Sequence, residues 1–199
     1  MAPHERREDL IRTALGVFAL RPPGEVTPED IAEAADVSRA LVYRYFPNMA
    51  RLRREALEQA MSELLERLVP PAGLPPREQL RGSLVRFVEF ADSYSPAYVA
   101  LLRGGSVIAT EETEAEIDRV RTGVLELLLD RVGPRPPSPP VLMALRCWIS
   151  VVETAVMLWL RERGRTAEEL ADWLLDQLVA MVLAAGAPEE GLSALTSRG

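Results

Sequence analysis

Apolar residues recur every three to four positions through almost the whole of this 199-residue chain, and stretches that alternate at every second residue are nearly absent. The expected fold is all-α, with two proline clusters standing between helices. Leu10, Ile11, Ala14, Leu15 and Phe18 share one face of a first helix, which Pro22, Pro23 and Gly24 end. Thr27-Pro28-Glu29-Asp30 opens a second helix. Thr27 is a natural N-cap, Pro28 suits the first turn, and Glu29 and Asp30 favour the positive helix end. Ile31, Ala34 and Ala35 are expected to face inward from it. Asp36-Val37 forms a tight turn, and Ser38 caps a third short helix.

A long amphipathic helix is expected from near Asn48 to Val69, with Leu52, Ala56, Leu64 and Leu68 among its apolar positions. The proline cluster at 70–76 stops it. Periodicity and caps place further helices over about 77–93, 95–103, 111–132, 140–163 and 166–185. A second proline cluster, 134–140, is a stiff connector, and the tail after Gly186 is expected to be loose.

Composition narrows the function classes. Cys147 is the single cysteine, so no intrachain disulfide forms and a reducing cytoplasm fits. With His4 as the single histidine, a His/Cys metal site is not expected, and no cofactor motif appears. The first ten residues hold no apolar core of a secretory signal. Residues 141–160 are mostly apolar and long enough to suggest a membrane span. Arg146 and Glu153 interrupt them, however, and central charges are costly in lipid; a buried core or interface helix explains the run equally well. The acid run 111–118 lacks EF-hand spacing and reads as a solvated helix start. No P-loop, GxSxG or dinucleotide fingerprint supports an enzyme.

Charge is uneven along the chain. Residues 1–54 carry 9 arginines and 8 acids, whereas the remainder carries 14 arginines and 22 acids. Any polyanion is therefore expected on the head. The segment DVSRALVYRYF, residues 36–46, concentrates basic and aromatic side chains there. Two short helices joined by a tight turn have the outline of a helix-turn-helix. On the second of them Val42 and Phe46 can pack inward with Val37, which leaves Arg39, Ala40, Tyr43 and Arg44 outward and Leu41 and Tyr45 on a flank. A small residue at Ala40 permits close approach to base edges, and the guanidiniums suit phosphates or guanine. The competing reading is a solvated face with two tyrosines half-buried in the head's own core.

The segment IAEAADVSRALVYRYFPN resembles the N-terminal signature of the tetracycline-repressor (TetR) family of bacterial transcriptional regulators. The likeness runs from about Leu10 through Leu57 and includes LIRTALGVF, TPEDIA and VSRALVYRYFPN. It implies a three-helix DNA-binding head over 1–47 and a helical ligand-binding and dimerisation body over 48–199. It also implies that Thr27 caps its helix and touches phosphate. Ser38, Arg39, Ala40 and Leu41 would open the groove-facing helix, and Tyr43, Arg44 and Tyr45 would contact phosphates and bases. The implied partners are an operator in double-stranded DNA, a small-molecule effector and a second copy of the chain. Three positions depart from the family pattern. Asp36 stands where glycine is usual, although Asp tolerates left-handed backbone. Pro22-Pro23 alters the loop after the first helix. Met49 replaces a phosphate-binding lysine, a role left to Arg51, Arg53 or Arg54 if any of them reaches the backbone.

Family members dimerise through their last two helices, which makes Val156, Leu160, Trp173, Leu174, Leu178 and Met181 candidates for the seam. Candidate liners of an effector pocket are Phe87, Phe90, Tyr94, Tyr98, Leu102, Arg103, Trp148, Val152, Met157 and Trp159. Glu153 interrupts an apolar helix and must be paired or exposed. If it faces the pocket it favours a cationic or hydroxylated ligand; if it meets an arginine it is a structural pair. The implied function is a ligand-responsive repressor. The alternative is a helical ligand-binding or adaptor protein with a weakened DNA-binding head.

Overall fold

The computed structural model describes residues 3–70, 73–102, 111–132, 136–189, 192 and 195, and no strand occurs among them. The helices are α1 (Pro3–Phe18), α2 (Pro28–Ala34), α3 (Arg39–Tyr45), α4 (Met49–Leu68), α5 (Pro76–Ser93), α6 (Ser95–Leu102), α7 (Glu111–Val132), α8 (Pro139–Glu162) and α9 (Ala167–Ala184). They fall into two compact units, Met1–Glu63 with Asp92–Asp118, and Leu64–Ala91 with Arg119–Gly199. The first unit extends well past residue 47, because α4 packs its leading turns into the head.

In the first unit, α1 buries the five residues its period selects, Leu10, Ile11, Ala14, Leu15 and Phe18. Thr27 closes a capping box on α2: the Asp30 amide donates to Thr27 Oγ1 at 3.3 Å, and the Thr27 amide donates to Asp30 Oδ2 at 2.7 Å. The inward face of α2 is Ile31 and Ala32, while Ala34 is exposed and Ala35 half-buried. The expectation for the two later alanines fails: Ala34 is the last residue of α2 and Ala35 its C-cap, and at that end of the helix neither is covered by the core. The helix closes in a Schellman pattern. The Asp36 amide donates to Glu33 O at 3.2 Å and the Val37 amide to Ala32 O at 2.9 Å, with Asp36 left-handed at φ 51°. Asp thus fills the glycine position without losing the turn. Val42, Phe46 and Leu52 are buried, and full burial of each such side chain contributes about 1.5–3 kcal/mol.

The altered loop after α1 has a definite path. A 3-10 turn, Pro23–Glu25, leads into α2, and α6 packs against it. From α4, Arg53 donates to the carbonyls of Pro23 at 2.8 Å and Val26 at 3.3 Å. Arg21 spans the same loop, reaching Glu25 O at 3.0 Å and Asp30 Oδ1 at 2.9 Å. Deeper in, buried Glu55 of α4 receives Arg7 of α1 at 2.6 Å and Arg51 at 3.1 Å. The pair joins the first and fourth helices where a carboxylate alone would be costly.

In the second unit, α8 and α9 form a hairpin. Arg163 ends α8 in a left-handed conformation, and a Thr166–Glu169 capping box starts α9. Leu145, Val156, Leu174 and Leu178 have essentially no exposed surface. The Trp148 indole donates to Leu174 O at 2.8 Å, and that of Trp159 donates to Arg165 O at 2.8 Å. Arg81 forks onto Asp172 at 2.8 and 3.2 Å, and Arg77 reaches Asp176 at 2.9 Å, tying α5 to α9. The tail is not wholly loose: Leu192 and Leu195 are buried, and Leu195 O accepts from Arg77 at 2.7 Å. By length and composition α8 could cross a bilayer, with a mean hydropathy of 1.8 over its most apolar window. Within the second unit 39% of that window is buried, with Leu145, Trp148, Val152 and Val156 on the buried face.

This hairpin also corrects the expected seam. Val156, Leu174 and Leu178 lie in the chain's own core, Leu160 and Met181 are half-buried, and Trp173 is exposed.

Candidate nucleic-acid interface

Helix α3 owes its position to its two inward residues. Val42 and Phe46, four apart, are both about 1% exposed, so the opposite side must face water. That side carries Arg39, Ala40, Tyr43 and Arg44, all exposed, with Leu41 and Tyr45 half-buried at the flank. Ser38 caps the helix through its hydroxyl, which accepts from the Leu41 amide at 3.2 Å.

The two outward guanidiniums differ. Arg39 is bonded to Glu29 of α2, and its Cζ lies 6.0 Å from the centre of the Tyr43 ring. The hydrogen bond from Arg39 holds the Glu29 carboxyl below its ordinary pKa, and the same bond raises that of Arg39. Arg44 forms no ion pair among the described residues. Thr27 is a cap as expected, but its hydroxyl already donates to Asp30 Oδ2 at 2.7 Å, which leaves no proton for a phosphate. The bonds from Thr27, backbone first, hold the Asp30 pKa at about 2.

At the entry to α4, Asn48 Oδ1 accepts from the Arg51 amide at 2.9 Å and caps the helix. Of the three arginines available to offset Met49, Arg53 is turned into the fold, and burial lowers its pKa. Arg51 pairs with buried Glu55 at 3.1 Å, whereas Arg54 pairs with Glu58 at 3.6 Å in a more exposed i,i+4 contact that a phosphate can displace.

The second unit holds a cavity of about 100 Å3 between α5, α7 and α8. Phe87, Trp148, Val152 and Glu153 line it. Phe90 does not: it is buried, with the Arg67 guanidinium 5.9 Å from its ring centre. Met157, Tyr94 and Tyr98 do not line it either, and the two tyrosines belong to the first unit. Trp159 is engaged at the α8–α9 turn. Leu102 ends α6, and its side chain, like Arg103, lies outside what the structure describes.

Glu153 is both on the cavity wall and paired. Arg121 of α7 donates through Nε to Oε1 at 2.8 Å and through Nη2 to Oε2 at 2.9 Å. Arg146, seven residues before Glu153, is exposed. The partner was not legible from sequence, since an arginine on a helix bearing many acids reads as solvated. Its spacing from Val120, Val124 and Leu128, which also face the cavity, was the available signal.

Comparison with known proteins agrees with this layout. The model of bacterial regulatory proteins of the tetR family matches residues 10–56, and that of the tetracyclin repressor-like C-terminal domain matches residues 76–181. The chain is similar to the crystal structure of a tetR-family transcriptional regulator from Streptomyces coelicolor. The two are 34% identical, with a TM-score of 0.89, over 98% of this chain and 88% of that one. It is 36% identical over 101 residues to the probable acrEF/envCD operon repressor of Escherichia coli K12, and this match covers 49% of the chain and 45% of that repressor. It is 25% identical over 167 residues to the transcriptional repressor KstR of Rhodococcus jostii, covering 84% and 78% respectively. On its head, its body and its close structural likeness, the chain belongs to the TetR family of bacterial regulatory proteins.

Proposed function

We propose that the chain is a cytoplasmic, ligand-responsive transcriptional repressor that binds a palindromic operator as a homodimer and is not an enzyme. The observation that carries this is α3 itself: its apolar pair is buried, while Arg39, Ala40, Tyr43 and Arg44 stand outward on a capped helix. In this reading Arg44 neutralises a phosphate, Ala40 lets the helix sit close to base edges, and Tyr43 and Tyr45 add hydroxyl and ring contacts. Ser38 and Thr27 set the helix starts.

The outward faces of α8 and α9 are the proposed dimer seam. Met143, Leu158 and Trp173 are 64%, 44% and 38% exposed and unusually apolar for a surface, beside half-buried Leu160 and Met181. A twofold dimer presents two copies of α3 to successive major grooves. A ligand in the cavity would favour the dimer population whose head spacing misses the operator.

The second reading, a helical ligand-binding or adaptor protein with a weakened head, draws on the Arg39–Glu29 pair and on Met49. Footprinting on the DNA flanking the chain's own coding region, at two salt concentrations, separates the two. Protection over a palindrome that fades as salt rises supports the repressor. An intact dimer that protects no sequence, there or in selection from random DNA, overturns it.

A further inference from the structure

The cavity between α5, α7 and α8 has two unlike ends. Leu84, Leu128, Trp148 and Ile149 belong to its buried wall. Among the described residues that line it, the charged side chains are Arg121 and Glu153, which are 41% and 18% exposed. The cavity is half-open to solvent, and these two stand at its mouth. On α7 the passage from mouth to interior takes the two turns from Arg121 to Leu128, about 10 Å of helix. On α8 it takes the single turn from Glu153 back to Ile149. The other polar liners are engaged by the backbone. Ser83 Oγ lies 2.9 Å from Leu68 O and 3.1 Å from Gln79 O, and the Trp148 indole donates to Leu174 O at 2.8 Å.

These ends sort the parts of a ligand. An apolar segment that enters gains about fourfold in affinity for each methylene removed from water. A charged group carried to the buried wall loses its hydration and is strongly opposed. The same group left at the mouth keeps its water, and pairing with part-exposed charges there changes affinity little, whatever its sign. Volume sets the length of the apolar segment. A cavity of roughly 150 Å3 holds the six carbons of benzene, so about 100 Å3 holds about four, beyond which a chain emerges at the mouth.

We infer that the second unit takes a short amphiphile: an apolar body of about four to six carbons lies against Leu128 and Trp148, and one polar or charged head group stays at the mouth beside Arg121 and Glu153. This inference rests on reading the cavity as the effector site of the proposed repressor. It replaces the cationic ligand that Glu153 alone suggested, since the head group is chosen by position and not by sign.

The test uses the full chain at pH 7 with 1-hexanol, hexanoate, hexylammonium and hexanedioate, read by NMR titration. The first three are expected to bind within about tenfold of one another. Hexanedioate must bury one carboxylate, so it is expected to bind about a hundredfold more weakly than hexanoate, or not at all. Hexanedioate as tight as hexanoate overturns the inference; so does an ion that differs from 1-hexanol by more than tenfold, and so does failure of all three to bind. Length is tested with 1-octanol and 1-decanol. The step between them should fall well short of the roughly sixteenfold gain of two buried methylenes, and a full step refutes the size limit. Glu153→Gln removes the negative charge at the mouth, so the ratio of hexanoate to hexylammonium affinity should rise about threefold while 1-hexanol changes less. An unmoved ratio in the folded variant overturns the orientation. Val124→Phe, which narrows the space between mouth and buried wall, should weaken 1-hexanol binding at least tenfold, and unchanged binding refutes the location. Operator release is measured separately. Binding of 1-hexanol without release supports the ligand class while removing the cavity's proposed control over DNA.

Discussion

Glu29 holds Arg39 as a phosphate would, and this makes the two outward arginines of α3 unequal. The perturbation is Glu29→Gln, compared with Arg39→Ala and Arg44→Ala. Each phosphate neutralised contributes about 0.9 to the slope of log affinity against log salt. In a dimer, one substitution acts twice, so losing the Arg44 contact lowers the slope by about 1.8. Between 50 and 200 mM salt the logarithm changes by about 0.6, so the affinity deficit of Arg44→Ala shrinks by about one log unit, or roughly tenfold, across that range. Arg39→Ala should lose much less, because its charge is already cancelled in the free protein. Glu29→Gln should gain slope, up to about 1.8, and bind more tightly at low salt. The assay is fluorescence anisotropy on a labelled operator at five salt concentrations, with circular dichroism to confirm folding. If Arg39→Ala flattens the slope as much as Arg44→Ala and Glu29→Gln changes nothing, the pair is not competing with DNA and the reasoning fails.

Three other outcomes follow from the geometry. Because native Asp30 titrates at about 2 instead of 3.8, its unfolded form binds more protons between these values. The stability it adds is therefore complete above pH 3.8 and is lost as pH falls through about 2; acid unfolding of Thr27→Ala should show a weaker pH dependence in that window. Leu174 and Trp173 are neighbours with opposite surroundings. Leu174→Ala should cost about 2–5 kcal/mol of unfolding free energy in a denaturant titration, whereas Trp173→Glu should leave the fold near intact and shift sedimentation toward monomer. A stable monomeric wild type would remove the seam altogether. Asp36→Val forces a β-branched residue into a left-handed turn at φ 51°, and thermal melts should show a loss of about 1–2 kcal/mol. An unchanged melt would mean the turn reorganises freely.

Legibility from sequence divides along physical lines. The helix starts at Thr27 and Ser38 were readable because caps are local chemistry, and the faces of α3 because Val42 and Phe46 obey the helical period within one short element. The tolerance of Asp36 for the turn was readable from its side chain. The inward face of α2 was misjudged because Ala32 and Ala34 look alike in composition, and which of them is covered depends on the neighbouring helices. Val156, Leu174 and Leu178 carried the right pattern for a packed face, but a period cannot say whether the neighbour is the same chain or a second copy. Arg121 was missed for the converse reason: a charged residue on α7 gives no local sign that a carboxylate 32 positions later will meet it. Tyr94 and Tyr98 were grouped with the cavity on aromatic character alone, which says nothing about which unit an element joins.

The three tryptophans lie in separate settings, and this gives the molecule a native optical readout. Trp148 is 3% exposed, bonded to a helix carbonyl and part of the cavity wall. Trp159 stacks with Arg163 at the α8–α9 turn, 4.6 Å from guanidinium carbon to ring centre, and Trp173 is 38% exposed on the outer face of α9. Of the three, Trp148 alone lines the cavity, so a ligand bound there would alter the short-wavelength edge of the emission. In the proposed dimer, closure of a second copy over α9 would cover Trp173 and alter the long-wavelength edge. Occupancy and assembly can thus be followed in one unlabelled sample, by colour.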